Sequence, residues 1–310
     1  MSLVVTVPTA RLASDVGPLP DGVEVLVWDM QSPAPREHLD IVVPPYMDTA
    51  EALKTLDGVD VDLLQGQMIG YESVIDRIPA GVRFANAATV HETATGEQAL
   101  ALALAAQRHI PDFVRSQDRG TWERLWSPGL ADRRVLLIGF GGVGQAVAER
   151  LVGFEVDLTV VARSARTVEH DRLGSVDVHA IDELSVLLPQ AEIVILGLPY
   201  TPETRHLIDD AALSALPDGA LVVNVGRGAL VDTDALVDHA RRGRIRAAID
   251  VVDPEPLPDG HPLWSLPGIL IAPHVGGSSD AMHPRIARVV RTQIERMLAG
   301  KPPINIVRGA

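Results

Sequence analysis

Short apolar runs alternate with helical patterns along almost the whole chain. Val, Ile and Leu cluster at residues 3–7, 23–27, 41–43 and 63–64, and again at 135–138, 158–161, 193–196, 221–225, 247–251 and 269–271. Most of these runs lack the polar alternation of a strand with one wet face, so they read as strands buried on both sides. Separated by helices, they predict an α/β fold with parallel sheets. About seventy residues part the first four runs from the other six, including an apolar helix from about 97 to 109 and an irregular stretch at 118–128. Two sheets fit this spacing better than one. Near the chain end, Ile286, Val289, Val290, Ile294 and Met297 recur at helical spacing, and Gly300, Lys301, Pro302 and Pro303 stop the pattern. That helix is expected to return to the first domain, giving domains 1–97 plus 283–310 and 98–282.

Composition narrows the function. Lys plus Arg number 27 and Asp plus Glu 41, a formal net charge of −14, which excludes a phosphate-neutralising basic face and hence a nucleic-acid partner. The cluster Arg241, Arg242, Arg244 and Arg246 reads as a solvated helix end. With no Cys, disulfide scaffolds and zinc–thiolate chemistry drop out, and no metal enters the reading. Lys54 and Lys301 are the only lysines, and neither has the context of a Schiff base or a P-loop. Residues 1–7 run into Pro8 without a basic leader or cleavage site. The apolar run 99–106 is far shorter than the ~20 residues that span a bilayer. A cytoplasmic protein with no membrane partner is expected.

The run Val135-Leu136-Leu137-Ile138 leads directly into Gly139-Phe140-Gly141-Gly142-Val143-Gly144 and then a helical pattern. Strand, glycine turn and helix in succession are the context a dinucleotide fingerprint requires. Gly139 suits the tight turn, Gly141 the approach of a pyrophosphate to the helix N-terminus, and Gly144 the close helix–strand contact; Gly142 and Val143 complete the loop. In such folds an acid at the end of the second strand accepts the ribose hydroxyls of NAD, whereas Arg accommodates the 2′-phosphate of NADP. Here the strand 158–161 ends in Ala162-Arg163-Ser164, and Asp157 stands at its wrong end. NADP(H) is therefore expected in preference to NAD(H), held by Arg163 and Ser164.

Three further segments complete a pattern: Asn224-Val225-Gly226-Arg227-Gly228, Asp250-Val251-Val252-Asp253-Pro254-Glu255-Pro256, and Pro273-His274-Val275-Gly276-Gly277. With Pro199-Tyr200-Thr201-Pro202-Glu203-Thr204 and Gln67-Met68-Ile69-Gly70-Tyr71, the chain resembles the D-isomer-specific 2-hydroxyacid dehydrogenases. The resemblance implies two Rossmann-like domains with the active site in the cleft between them. It implies Arg227 as the cation for the substrate carboxylate and carbonyl, His274 as acid/base, and Glu255 as the carboxylate favouring its protonated form. It also implies Asp250 at the nicotinamide carboxamide, Pro199, Thr204 and Val225 in the cofactor site, and Ile69 and Gly70 as amides for the substrate carboxylate.

The expected reaction is hydride transfer between NADP(H) and C2 of a small 2-oxo or 2-hydroxy acid, with glyoxylate or hydroxypyruvate reduced. Phosphoglycerate or phosphite dehydrogenation and a non-catalytic dinucleotide sensor are the alternatives; Glu255 argues against formate, whose dehydrogenases carry Gln at that position. Two departures from the family pattern stand out: Gln67-Met68 beside the substrate space, and Gly96, expected to weaken a helix start by ~1 kcal/mol. The remaining histidines, His91, His206, His261 and His283 among them, read as structural or surface residues. A homodimer is expected by resemblance, with Trp122, Leu125 and Trp126 on a candidate arm.

Overall fold

A computed structural model of the chain describes residues 3–309. The chain divides into two compact units, one running to His91 and resuming at Ser279, the other spanning Glu92–Ser278. Each cut falls a few residues before the one the sequence pattern suggests. The helix expected from 97 begins at Glu92, and the last helix begins at Met282.

In the first unit, β1 (Leu3–Val7), β2 (Val23–Val27), β3 (His38–Val42), β4 (Asp60–Gln65), β5 (Arg83–Ala85) and β14 (Ile306–Arg308) form a sheet of order β14-β5-β4-β3-β1-β2. Its helices are α1 (Ala10–Val16), α2 (Thr49–Ala52) and α9 (Met282–Leu298). Along α9, Ile286, Val289, Val290, Gln293 and Ile294 are buried, one stripe at 3.6-residue spacing. Gln293 is tolerated there because its amide donates to Gln65 Oε1 (2.7 Å) and to the Ile304 carbonyl (2.9 Å), so no buried donor is stranded.

In the second unit, the strands are β6 (Arg134–Ile138), β7 (Asp157–Ala162), β8 (Arg166–His170), β9 (Gly174–Ala180), β10 (Ile193–Leu196), β11 (Ala220–Asn224), β12 (Ile245–Ile249) and β13 (Ile269–Ile271). They form a sheet of order β13-β12-β11-β10-β6-β7-β9-β8. Helices α3 (Glu92–Gln107), α4 (Ile110–Asp118), α5 (Gly142–Leu151), α6 (Leu184–Leu187), α7 (Asp210–Ala215) and α8 (Thr233–Arg241) belong to it. Two apolar clusters line the sheet: Leu213 and Leu236 with Ile138, Leu196 and Val222 in one, Ala99, Leu100, Val147 and Leu151 with Leu137, Ile195 and Val223 in the other. Strand order reverses at β6, which lies between β7 and β10. In open α/β sheets, ligands bind at the carboxyl ends of the strands flanking such a reversal.

The expected α/β sheets are mostly parallel, and each adds one antiparallel strand: β14 against β5, and β8 against β9. Both exceptions are edge strands, where a short antiparallel addition is common. The arginine cluster is not one helix end. Arg241 and Arg242 close α8, but Arg246 lies on β12 and is half-buried, donating to Gln107 Oε1 at 2.5 Å and to the Gly219 carbonyl. Burial pushes its pKa down.

Gly96 does not start a helix either. It lies inside α3, where a Cβ would stand 3.0 Å from the Ala146 carbonyl carbon and oxygen; the missing side chain lets α3 and α5 approach. Within the single chain, Trp122 and Trp126 are almost wholly exposed and Leu125 is partly so.

Candidate active site

The carboxyl end of the second unit's sheet gathers most of the residues singled out in sequence. After β6, Gly139 takes φ +105°, a conformation L side chains rarely adopt. A Cβ at Gly144 would lie 1.9 Å from the Gly139 carbonyl oxygen, so helix α5 meets its strand only because residue 144 has none. Gly141 has open space around it and is the N-cap of α5. The first turn of α5, with Gly142 and Val143, presents main-chain N–H groups that have no acceptor within the helix. Space left free of side chains by glycine next to such donors fits a pyrophosphate.

After β7, Arg163 and Ser164 are exposed, and the Ser164 carbonyl accepts from Arg166 at 3.1 Å. Glu203 is held below the usual carboxylate range by the Thr201 hydroxyl and its own main-chain amide, with the Arg163 charge adding to them. After β10, Thr204 Oγ1 accepts the Thr201 amide (2.7 Å) and lies 3.1 Å from the Pro199 carbonyl, closing the 199–204 loop. Val225 is buried, its amide bonded to the Leu196 carbonyl.

After β11, Asn224 is buried and shapes the Arg227 loop. Its Oδ1 accepts the Gly226 amide (3.0 Å) and its Nδ2 donates to the Arg227 carbonyl (2.9 Å). Arg227 Nη1 donates to the Gly226 carbonyl at 2.8 Å. A Cβ at Gly228 would sit 1.8 Å from the Val252 carbonyl oxygen, so this loop packs directly on the one that follows β12. That second loop carries Glu255 and is tied to the start of α8 by Thr233 Oγ1, which donates to the Asp253 carbonyl (2.6 Å).

After β13 comes His274. Its Nδ1 and Glu255 Oε1 are 2.5 Å apart, with both side chains partly exposed. The Glu255 hydrogen bond raises the His274 pKa above its ordinary value. Burial and the Arg227 charge work against it, and the charges of Glu255 and Asp250 support it. His274 has φ +54°, left-handed for a non-glycine residue, and Asp250 holds it there. The His274 amide donates to the Asp250 carbonyl (2.7 Å), and the buried Asp250 carboxylate accepts from Val275 N (3.0 Å), Gly276 N (2.8 Å) and Gln98 Nε2 (3.2 Å). This turn-clamping by Asp250 and Gln98 was not legible in sequence.

Arg227, Glu255, His274, Asp250 and the glycine loop all lie in the second unit, and Ile69 and Gly70 lie in the first, after β4. A guanidinium with an imidazolium–carboxylate pair can bind an oxo-acid anion and deliver one proton.

The family model for the D-isomer specific 2-hydroxyacid dehydrogenase NAD binding domain matches residues 100–276. The chain belongs to this family. It is 33% identical to the glyoxylate reductase of Aeropyrum pernix over 307 residues, covering 92% of this chain and 89% of that protein. It is 34% identical to the D-3-phosphoglycerate dehydrogenase of Mycobacterium tuberculosis, covering 97% of this chain but 58% of that longer protein. The D-isomer specific 2-hydroxyacid dehydrogenase of Xanthobacter autotrophicus Py2, solved in complex with NADPH and MES, superposes with a TM-score of 0.78 at 27% identity over 99% of this chain and all of that one. The protein is an oxidoreductase of the D-2-hydroxyacid dehydrogenase family with an NAD-binding Rossmann domain, and a small hydroxy or oxo acid is its class of substrate. Among the described residues no helix is long and apolar enough to cross a membrane.

Proposed function

We propose that this dehydrogenase reduces C2 of a small 2-oxo acid, glyoxylate or hydroxypyruvate, using NADPH in preference to NADH. The observation that carries the reading is the 2.5 Å pair of His274 and Glu255, beside Arg227 at the ends of adjacent strands. When bound, the reduced nicotinamide supplies the hydride. Arg227 offers its planar fork to the carboxylate and carbonyl oxygen, drawing electron density from C2. Glu255 holds the Nδ1 hydrogen of His274, so Nε2 carries the proton that the new alkoxide takes. Ile69 and Gly70 amides receive the substrate carboxylate.

The glycine cradle and the first turn of α5 suit the pyrophosphate. Arg163 with Ser164 suits a 2′-phosphate, which matches the NADPH bound by the Xanthobacter relative. Asp250 accepts three hydrogen bonds and keeps one lone pair for a carboxamide N–H. The A. pernix relative supports glyoxylate. Phosphoglycerate dehydrogenation is the second reading, favoured by the mycobacterial relative's 34% identity. The exposed Trp122, Leu125 and Trp126 suit a homodimer contact.

The test is a steady-state screen of glyoxylate, hydroxypyruvate, 3-phosphohydroxypyruvate and phosphite with both cofactors. Expected are NADPH-dependent reduction of the two short oxo acids and a kcat lowered on the order of 10²–10⁴ in His274→Ala. Preference for the phosphorylated acid selects the second reading. Cofactor binding without turnover of any of these substrates overturns both.

A further inference from the structure

We propose that His91 is a positioning residue that aims the amides of residues 68–70 at the substrate carboxylate by holding the carbonyls of that loop on its opposite side. The proposal rests on the reading above that this loop receives the carboxylate. Its basis is a set of anchors confined to the first unit.

Three consecutive carbonyls of the loop are bonded by one segment, residues 86–91. His91 Nε2 lies 2.6 Å from the Gln67 carbonyl, the Ala87 amide donates to the Met68 carbonyl (2.9 Å), and Asn86 Nδ2 donates to the Ile69 carbonyl (2.8 Å). In a trans peptide the C=O and the next residue's N–H point in opposite directions across the plane. Anchoring the carbonyls of 67, 68 and 69 toward residues 86–91 therefore turns the N–H groups of Met68, Ile69 and Gly70 away from that segment. Three donors on one side of a bend form the concavity that main-chain amides offer to anions.

His91 is suited to this task. It is 4% exposed, and because a carbonyl only accepts, the bond to Gln67 requires the hydrogen on Nε2. The Tyr46 ring lies 5.7 Å away, tilted by 33°, and packs against the imidazole. The other end of Gln67 is fixed too, since its buried side chain donates to the Pro44 carbonyl (2.7 Å). Asn86 is oriented by its own Oδ1, which accepts the Ala88 amide (3.2 Å).

The experiment compares His91→Leu, His91→Gln and Asn86→Leu with wild type. It measures glyoxylate KM and kcat with NADPH, NADPH Kd, and amide hydrogen exchange of the peptide spanning residues 66–72. Gln is the informative replacement because its Nε2 can reach the same carbonyl. Losing the aim of one donor to a carboxylate predicts a KM raised about tenfold or more in His91→Leu, with kcat within about threefold. NADPH Kd should stay unchanged, loop exchange should quicken, and His91→Gln should restore both KM and exchange.

Asn86→Leu, which removes the bond to the Ile69 carbonyl and the acceptor for the Ala88 amide while leaving His91 in place, should give the same KM-against-kcat split even where His91→Leu folds poorly. Wild-type KM and exchange in His91→Leu, or a Gln variant as impaired as the Leu variant, overturn the proposal. If the wild type reduces no 2-oxo acid while the loop's exchange still follows residue 91 and Gln restores it, the functional reading fails and the anchoring stands.

Discussion

Replacing Asp250 by Asn tests whether one buried carboxylate both builds and tunes the His274 turn. Asp250 accepts from Val275 N and Gln98 Nε2 on one oxygen and from Gly276 N on the other. Asparagine has the same shape but only one acceptor oxygen. Turned one way, its NH2 group faces the Gly276 amide at a site where 2.8 Å separated donor from acceptor; turned the other way, it faces both Val275 and Gln98. The first orientation strands the buried Gly276 amide, the second sets both the Val275 amide and the Gln98 side chain against another donor, and in either the remaining bonds lose their charge assistance.

A stranded buried donor costs ~1–3 kcal/mol, so with the weakened bonds the total is about 3 kcal/mol. At roughly 2–4 °C per kcal/mol for a protein of this size, Tm should fall by about 6–12 °C. The Asp250 charge also helps raise the His274 pKa, so the alkaline limb of the reduction rate should move to lower pH. Thermal denaturation and kcat against pH read the two effects separately. An unchanged Tm refutes the clamp, and a lowered Tm with an unmoved pH limb confines Asp250 to a structural role.

Other substitutions probe the remaining parts of the argument. Glu255→Gln keeps an acceptor oxygen but takes the charge from the partner whose hydrogen bond contributes most to the raised His274 pKa, so the alkaline limb of reduction should move to lower pH by more than in Asp250→Asn; a wild-type pH profile would sink the pair. The raised folded-state pKa also means that the stabilisation from the paired imidazolium is fully present below the unfolded value of ~6.5 and is lost as pH rises through the folded value. Because both groups are partly exposed, the resulting change in Tm with pH should be small. If NADPH is preferred as proposed, Arg163→Asp should reverse or abolish that preference in kcat/KM, and equal use of both cofactors by the wild type would remove its basis. Gly96→Ala, which in an exposed helix interior would add ~1 kcal/mol of stability, should instead lower Tm, because its Cβ presses on the α5 backbone at Ala146; a higher Tm contradicts the packing argument.

The parts of this molecule that were legible in sequence are those whose cause is local. Runs such as 193–196 and 221–225 announce buried strands because both faces of β10 and β11 are covered. The glycine loop is visible because a turn at φ +105° and a helix pressed onto its strand each exclude a Cβ. The hairpin of β8 and β9 was missed for the opposite reason: in Arg166–His170 most positions are exposed, and edge pairing needs main-chain bonds but no apolar run.

Arg246 was misplaced because charge density in sequence says nothing about depth, and its neighbours in space include Gln107, distant in the chain. The candidate site divides along the same line. Arg227, Glu255 and His274 stand in motifs, as does Asn224, which shapes the Arg227 loop locally, whereas other groups that aim them act across longer separations: Gln98 on Asp250 and Thr233 on the Glu255 loop. Those long-range contacts are what keep His274 in a left-handed conformation and within 2.5 Å of Glu255, so substitutions far from the motifs should alter the chemistry through geometry.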